Sequence, residues 1–410
     1  MTITAIDSLA AGAGRCGIAP ASRPGLAVRR LRLTNFRSYP TLRLDLGPAP
    51  VVLTGPNGAG KTNLLEALSF LVPGRGLRRA RLAEAQHQGC GDASPAPAGW
   101  GVAATVDTPG GSVELGTGLE RAPLPDEGGP AASERRLVHV DGVAAGGQTA
   151  LAVHVAAVWL TPAMDRLFVE GSGGRRRFLD RLVTTLDSDH TGRLAAYDNA
   201  QRQRARLLRE HGLSADAGWL AALEDVMARH GVAVAAARLE AVRRLNASAC
   251  DGVSGFPEPV LAVEGTVEAA LRDTAALAVE DGYRDRLARA RSRDAEAGTA
   301  EGPHRSDLAV HYRAKRRPAG SCSTGEQKAL LIAIVLSAAR LLAEDAGRTP
   351  LLLLDEVVAH LDADRRGRLF DSLLALGAQA WLTGTDRSLF AGIEGAAQFF
   401  AVHDSRLTAD

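Results

Sequence analysis

The sequence predicts an α/β fold in which both ends of the chain build one mixed-sheet head and the middle forms an inserted helical lobe. Residues 28–33 and 42–46 alternate between apolar and polar side chains, as half-buried strands do. Residues 171–297 are rich in Ala, Leu and Arg, with apolar residues at helical spacing. Strand patterns then return and include the fully apolar run 351–354, which is typical of a buried parallel strand.

Composition limits the class of protein. The chain has 410 residues, of which 46% are hydrophobic and 23% charged, as in an ordinary globular protein of about two or three domains. The formal net charge is +1, so any basic binding site must be local. The four cysteines (Cys16, Cys90, Cys250 and Cys322) lie far apart and predict reduced thiols in a cytoplasmic protein. No apolar run reaches the roughly 18 residues needed to span a membrane, so we expect no membrane partner.

Four segments follow from these patterns. Residues 1–26 are rich in Ala, Gly, Ser and Pro, lack the apolar core of a signal peptide, and predict a disordered tail. Residues 27–169 form the first half of the head, 170–298 the helical lobe, and 299–410 the second half of the head. We expect the apolar stripes of the lobe, such as the set at 178, 182 and 186 and the set at 220, 223 and 227, to form a core of its own.

A glycine-rich turn follows the predicted strand at 51–54 and precedes an apolar-periodic helix. It has the spacing G-x-x-x-x-G-K-T of a phosphate-binding P-loop: Gly55, Pro56, Asn57, Gly58, Ala59, Gly60, Lys61 and Thr62. The glycines let successive backbone N–H groups surround a triphosphate, toward which the helix also points its positive end. Lys61 is expected to reach the β- and γ-phosphates of ATP, and the Thr62 hydroxyl to ligate Mg²⁺.

The use of lysine supports this prediction. Lysine and arginine together number 48, yet only Lys61, Lys315 and Lys328 are lysines. A chain that uses arginine for nearly every positive charge retains lysine where a compact ammonium is needed and a planar guanidinium does not fit.

Two carboxylates follow the apolar strand at 351–354. Asp355 is expected to hold the Mg²⁺ shell, and Glu356 to orient and polarise the attacking water. The plainer alternative is an acidic turn between a strand and a helix.

A third segment, Ser323-Thr324-Gly325-Glu326, opens a predicted helix and contains a capping box. A well-capped helix explains it without any ligand. The functional alternative directs the Ser323 hydroxyl, the Gly325 N–H and the helix dipole at a γ-phosphate.

Two arginine clusters occur in the lobe, one at 175, 176, 177 and 181 and one at 202, 204, 206 and 209. Either could follow a phosphate backbone, because arginine pairs bidentately with phosphate. Taken singly, each is better explained as a solvated helix face in an arginine-rich protein.

Together these motifs resemble the ABC-type ATPase head of the SMC-like DNA repair proteins, in which the P-loop and the acidic pair stand far apart in sequence. Within that group, the compact lobe and two further stretches, 174–180 (Gly-Arg-Arg-Arg-Phe-Leu-Asp) and 302–307 (Gly-Pro-His-Arg-Ser-Asp), resemble the RecF family. The resemblance runs from about residue 27 to the C-terminus. It also includes Asn35-Phe36-Arg37-Ser38 and Leu361-Asp362, and so adds Arg37 and Asp362 to the expected nucleotide-binding residues.

The resemblance implies a function in recombinational repair, the SOS response to DNA damage and the maintenance of replication forks. It implies a homodimer that forms on ATP, with each nucleotide held between the P-loop of one chain and the Ser323–Gly325 signature of the other. It further implies binding to gapped DNA and to junctions of single- and double-stranded DNA. RecO- and RecR-type proteins are the implied partners in loading recombinase.

Two departures from the usual cassette predict slow ATP hydrolysis, and the resemblance implies that DNA stimulates it. Residues 155–161 contain no Gln for the usual Mg²⁺-bridging loop, and the switch position, where transporters carry His, is Thr383 or Thr385. One alternative is the ATPase subunit of a transporter or another system, which would co-purify with a membrane protein and needs no helical insertion. The other is a non-enzymatic DNA-binding scaffold with a vestigial nucleotide site, against which Glu356 argues.

Lys61→Arg tests the P-loop. Because a guanidinium cannot replace a compact ammonium at a phosphate cradle, we expect this variant to fold but to lose nucleotide-dependent DNA binding. Gel shifts with gapped DNA and ATP measure the loss. Binding at the wild-type level by a folded Lys61→Arg protein would contradict the assignment.

Overall fold

The structure of the protein is a computed structural model that describes residues 25–89, 99–120, 135–250, 255–347 and 349–410. Within these residues, the fold is built on two six-stranded sheets. Residues 1–24 of the predicted tail, the glycine- and proline-rich segments at 90–98 and 121–134, and Cys16 and Cys90 lie outside the described residues. Leu26, which the prediction assigns to the tail, is described and is buried in the core.

The first sheet is antiparallel and has the strand order β2-β1-β4-β5-β6-β7. Alternation between buried and exposed residues along β1 produces a face that packs on the P-loop helix, as the sequence pattern predicts. Its strands are β1 Ala27–Phe36, β2 Tyr39–Asp45, β4 Gly99–Thr108, β5 Gly111–Glu120, β6 Arg135–Val140 and β7 Val143–Ala144.

The second sheet carries the motifs. Its order is β15-β14-β3-β13-β12-β8, and every neighbouring pair is parallel except β14 with β15. No strand is predicted after residue 383, so β14 and β15 are additions to the predicted elements. The strands are β3 Val51–Thr54, β8 Ala157–Leu160, β12 Leu351–Leu354, β13 Ala380–Gly384, β14 Gln398–His403 and β15 Arg406–Ala409.

A third, three-stranded antiparallel sheet consists of β9 Pro259–Glu264, β10 Asp307–Tyr312 and β11 Arg317–Pro318. β9 lies within the segment assigned to the helical lobe, and β10 lies in the second half of the head. The helices are α1 Lys61–Ser69, α2 Ser172–Leu186, α3 His190–His211, α4 Ala217–Cys250, α5 Thr266–Asp273, α6 Ala276–Arg289, α7 Arg291–Ala297, α8 Thr324–Ala346 and α9 Ala363–Leu376.

The apolar stripes of the lobe divide between two cores. The stripe with Leu220 and Met227 packs with α3, α5 and α6 in a core of the lobe itself, as expected. Phe178 and Leu182 of α2, with Leu245 near the end of α4, pack instead into the core of the head beneath β8 and β12. Helical periodicity identifies a buried face but not its partner, so the sequence could not separate the two cases.

No helix in the described part of the chain combines the length and apolarity needed to cross a membrane. Cys322 is buried as a free thiol.

Candidate ATP-binding site

The candidate site lies at the carboxyl edge of the second sheet. β13 separates the P-loop strand β3 from the acidic strand β12, and all three strands are parallel. Their carboxyl ends therefore meet at one edge, where ligands bind in open α/β sheets. This order brings Thr62, Asp355 and the end of β13 together, although the helical lobe separates them in the chain.

Glycine is required at two positions of the P-loop. Gly55 has a φ of +145°, and a Cβ there would lie 2.2 Å from the carbonyl oxygen of Val402. Gly60 has a φ of +112°, and a Cβ would lie 2.7 Å from the Tyr39 hydroxyl. That hydroxyl donates a hydrogen bond to the Gly60 carbonyl (3.2 Å), so the first sheet supports the loop directly.

Lys61 curls back over the loop. It is 4% exposed, and Nζ donates to the carbonyl oxygens of Gly55 (2.6 Å) and Pro56 (2.8 Å). Burial lowers the pKa of Lys61, while the charges of Glu356 and Asp355 act in the opposite direction. The ammonium is thus placed inside the loop where phosphate is expected.

Asp355 accepts hydrogen bonds from two threonines on other elements. The Thr62 hydroxyl lies 3.0 and 3.1 Å from its carboxylate oxygens, and the Thr383 hydroxyl donates to Oδ1 at 2.8 Å. Burial raises the pKa of Asp355, and the two hydroxyls partly oppose this. Thr62 and Asp355 fit Mg²⁺, which prefers oxygen ligands and is usually held by one or two carboxylates together with phosphates.

Glu356 is positioned by its backbone. Its φ of +52° is unusual for a residue other than glycine. Its N–H donates to the Thr383 hydroxyl (2.8 Å), and its carbonyl accepts from Lys328 Nζ (3.4 Å). No hydrogen bond or ion pair with any described residue engages its carboxylate, which leaves the carboxylate available to a water molecule.

The signature segment caps α8, with Ser323 and Thr324 exposed and Gly325 partly buried. The Ser323 hydroxyl accepts from the Glu326 N–H (3.4 Å), and the Glu326 carboxylate accepts from the Ser323 N–H (3.0 Å), which confirms the capping box. A Cβ on Gly325 would meet nothing within 4 Å. Packing within the described chain therefore does not require glycine there, although glycine in a helix costs about 1 kcal/mol relative to alanine.

The two remaining lysines also lie at these motifs. Lys328 is buried between the Glu356 carbonyl and Asp165 (3.6 Å), and its burial lowers its pKa. Lys315 pairs with Glu326, and with the Ser323 backbone it lowers the pKa of Glu326 to about 2. No motif predicts a role for Lys315 or Lys328, but the scarcity of lysine in the sequence points to both.

Two predicted nucleotide-binding residues, Arg37 and Asp362, make structural contacts within the chain. Arg37 makes a bidentate ion pair with the buried Glu66 of α1 (2.9 and 2.7 Å) and thereby braces the P-loop helix. Asp362 caps α9 through the Arg365 N–H (2.8 Å) and is exposed. Contact of Arg37 and Asp362 with a nucleotide stays a prediction. Of the two switch candidates, Thr383 reaches Asp355, whereas Thr385 is exposed.

The stretches 174–180 and 302–307 meet where α2 approaches β10. Arg175 pairs bidentately with Asp307 (2.8 and 2.7 Å), and Arg176 donates to the Ser306 carbonyl (2.7 Å). Arg238 of α4 pairs bidentately with Asp180 (2.7 and 2.9 Å) and donates to the Pro303 carbonyl (2.6 Å). These stretches therefore join the lobe to the head.

Known proteins are similar to this chain in sequence. A family model described as an AAA domain matches residues 30–92. The DNA replication and repair protein RecF of Mesorhizobium japonicum is 48% identical over 378 residues, which cover 92% of this chain and 96% of that protein. The protein of the same name in Brucella suis biovar 1 is 46% identical over 387 residues, covering 93% and 96%.

Solved structures confirm the fold. Two structures of the recombination mediator protein RecF in the RecFOR pathway, one described as RecF-ATP, superpose with TM-scores of 0.79 and 0.77 at 20% identity. They cover 94% of this chain and at least 99% of theirs. An Smc head domain from Pyrococcus furiosus gives a TM-score of 0.52 at 15% identity, covering 94% of this chain and 96% of its own. The predicted α/β head of the ABC type is therefore confirmed.

Asp355→Asn tests the environment of the acidic pair. Because the pKa of Asp355 is raised in the folded state, its ionisation destabilises the nucleotide-free fold as pH rises through that pKa. The amide oxygen of asparagine can still accept from Thr62 and Thr383. We therefore expect Asp355→Asn to gain stability over wild type as pH rises from acid to neutral, measured by thermal unfolding without nucleotide.

Asp371→Asn, at an exposed position on α9, serves as the matched control and should show no such gain. A constant difference between Asp355→Asn and wild type across this pH range would contradict the prediction.

Proposed function

The chain belongs to the RecF family of DNA replication and repair proteins, and on that premise we propose that it binds ATP and uses it to gate dimerisation and DNA binding. The observation that carries the proposal is the convergence of Lys61, Thr62, Asp355 and Glu356 at one sheet edge. The RecF structure described with ATP supports nucleotide binding by this fold. The wide sequence coverage supports the same use of the site here.

We propose that each site residue has a separate task. The backbone N–H groups of the P-loop and the Lys61 ammonium bind the phosphates, and Thr62 with Asp355 holds Mg²⁺. When bound, the metal neutralises charge on the phosphate oxygens. The Glu356 carboxylate holds the attacking water and accepts its proton as the water adds to the γ-phosphorus and ADP leaves.

Slow turnover is part of the proposal. Thr383 takes the place next to the acidic pair, and its hydroxyl is already shared between Asp355 and the Glu356 N–H. A threonine there cannot supply the charge of a protonated histidine to the reacting γ-phosphate. We infer that ATP acts mainly as a switch between open and closed forms, and that hydrolysis resets the switch.

The proposed dimer pairs the P-loop of one chain with the signature of the other. Ser323 is exposed, and the first turn of α8 offers backbone N–H groups and a positive dipole end. Gly325, for which the fold of the single chain gives no steric reason, leaves room for close approach of a phosphate. These features support a signature that acts on a nucleotide held by a second copy.

The proposed DNA substrate is gapped DNA or a junction of single- and double-stranded DNA, and RecO- and RecR-type proteins are the proposed partners in loading recombinase. The RecFOR pathway named for the two similar RecF structures supports these partners. A transporter ATPase subunit is disfavoured because the relatives named above are DNA replication and repair proteins. A vestigial scaffold is disfavoured because the Glu356 carboxylate is left available for chemistry.

Glu356→Gln tests the proposed base. The amide keeps the size of the side chain but cannot accept the proton, so ATP hydrolysis should slow by roughly 10²–10⁴ while ATP binding survives. The dimer should then accumulate closed, and DNA should dissociate more slowly than from wild type. Paired measurements of ATP turnover and DNA off-rate test both effects.

Asp355→Asn is the comparison, because loss of the carboxylate that holds the metal should prevent closure itself. Equal, strong loss of DNA binding in both variants would make Glu356 structural and contradict the gating proposal.

Ser323→Arg tests the signature, with Ser323→Ala as its matched control. Both remove the cap and should cost about 1 kcal/mol of stability. Only arginine adds bulk and charge at the proposed interface, so Ser323→Arg should bind ATP almost normally but stay monomeric. Equilibrium sedimentation with and without ATP distinguishes the two variants. An ATP-dependent dimer of Ser323→Arg would leave Ser323 as a helix cap alone.

A further inference from the structure

Four arginines of the two lobe clusters have partners within the chain. Arg175 and Arg176 are engaged by Asp307 and Ser306, as described above. In the second cluster, Arg204 is buried against Glu224 (3.0 Å) and Asp294 (2.9 Å), and Arg206 pairs with Glu210 on the surface (2.9 Å). These four therefore have roles within the chain.

Arg177 and Arg181 remain from the first cluster, one helical turn apart and so on the same face of α2. Arg177 is exposed and has no hydrogen bond or ion pair to any described residue. The Arg181 guanidinium lies 4.3 Å from the ring centre of Trp159 and 5.5 Å from that of Phe178. Its Nε is buried without a hydrogen-bond partner, and no carboxylate pairs with it among the described residues.

Two further arginines come from the segment after the P-loop helix. A cavity of about 340 Å³ is lined by Val72 and Pro73 of that segment together with Arg181 of α2 and Trp159 of β8. The segment and α2 therefore face the same cavity. The segment continues through Arg75 and Arg79, which are exposed and make no ion pair with any described residue.

The charges of these residues act on one another. Partial burial, followed by the charges of Arg177 and Arg75, lowers the pKa of Arg79. Burial, followed by the charge of Arg79, lowers the pKa of Arg181 to about 9. Asp180, whose charge opposes the lowering of the Arg79 pKa, is already paired with Arg238 and His190. We call Arg75, Arg79, Arg177 and Arg181 the arginine cleft.

Clustered guanidiniums without carboxylate partners repel one another. A bound anion would offset this repulsion, so the cleft favours anion binding. Arginine pairs bidentately with phosphate and is more weakly hydrated than lysine, which suits a polyanion. A DNA strand presents a phosphate about every 3.4 Å along its axis, so several guanidiniums on one surface can each find a partner. An acidic protein segment is the competing occupant, and it has no such regular spacing of charge.

We propose that the arginine cleft binds the sugar-phosphate backbone of DNA. This rests on the DNA binding in the proposed function and assigns it to a surface. The cleft is also tied to the nucleotide site, because the neighbouring Arg78 donates to Asn63 (2.7 Å) and Glu66 (2.8 Å) of α1. A shift of α1 on ATP binding would therefore reach the cleft through one residue.

The test compares two double variants that remove equal charge, Arg79→Gln with Arg177→Gln in the cleft, and Arg206→Gln with Arg209→Gln on the exposed face of α3. Binding of full-length protein with ATP to a short duplex bearing a single-stranded tail is followed by fluorescence anisotropy over a range of KCl concentrations. The cleft variant should bind about 10–100-fold more weakly at moderate salt. Its plot of log K against log[salt] should be shallower by about 1.4–1.8, for two lost phosphate contacts.

The α3 variant should bind DNA like wild type, and both variants should bind a fluorescent ATP analogue like wild type. A third variant, Arg79→Lys with Arg177→Lys, should retain most of the salt slope because it keeps the charge. Equal losses in the cleft and α3 variants, or an unchanged slope in the cleft variant, would overturn the cleft while leaving the proposed function intact. Failure of wild type with ATP to bind this DNA would overturn both.

Discussion

The contact between Asp355 and Thr62 is the interaction on which the rest of the site depends. It joins the end of one buried strand to the first turn of the P-loop helix, at 3.0 and 3.1 Å, across the intervening β13. A carboxylate in this position is costly, because burial disfavours its charged form and the two threonine hydroxyls, with a smaller contribution from the charge of Arg78, compensate only in part. This cost arises at the sheet edge where a divalent cation, bound together with a triphosphate, would neutralise the buried charge.

Much of this could be predicted from the sequence, because the motifs are local. A few neighbouring residues are enough to predict the local structure of each motif: the P-loop, the apolar strand ending in Asp355-Glu356 and the capping box at Ser323. What could not be predicted is long-range. The place of β13 between β3 and β12 brings Thr383 to Asp355, whereas the sequence leaves the choice between Thr383 and Thr385 open. The division of the lobe's apolar stripes between two cores has the same cause, since periodicity does not identify the partner of a face.

Arg37 has a structural contact that its motif does not reveal. The guanidinium neutralises a fully buried glutamate in α1, whereas its contact with a nucleotide stays a prediction. Without Arg37 and Arg78, Glu66 would be a buried carboxylate without a partner, a state that costs several kcal/mol. Its two arginines hold α1 from both sides, so the helix that carries Lys61 and Thr62 is held by charge as well as by packing.

Under the proposed function, this arrangement would let α1 sense the nucleotide. Its first turn carries Lys61 and Thr62, and its next turn carries Glu66, which accepts from Arg37 of the first sheet and from Arg78 beside the arginine cleft. A rigid helix transmits a displacement of one end to the other, and ion pairs to a buried carboxylate are costly to break, so both arginines would follow α1. Coupling between ATP and a distant surface then needs no rearrangement of the lobe. It requires only that the closed state places Arg78, and with it Arg79, differently from the open one.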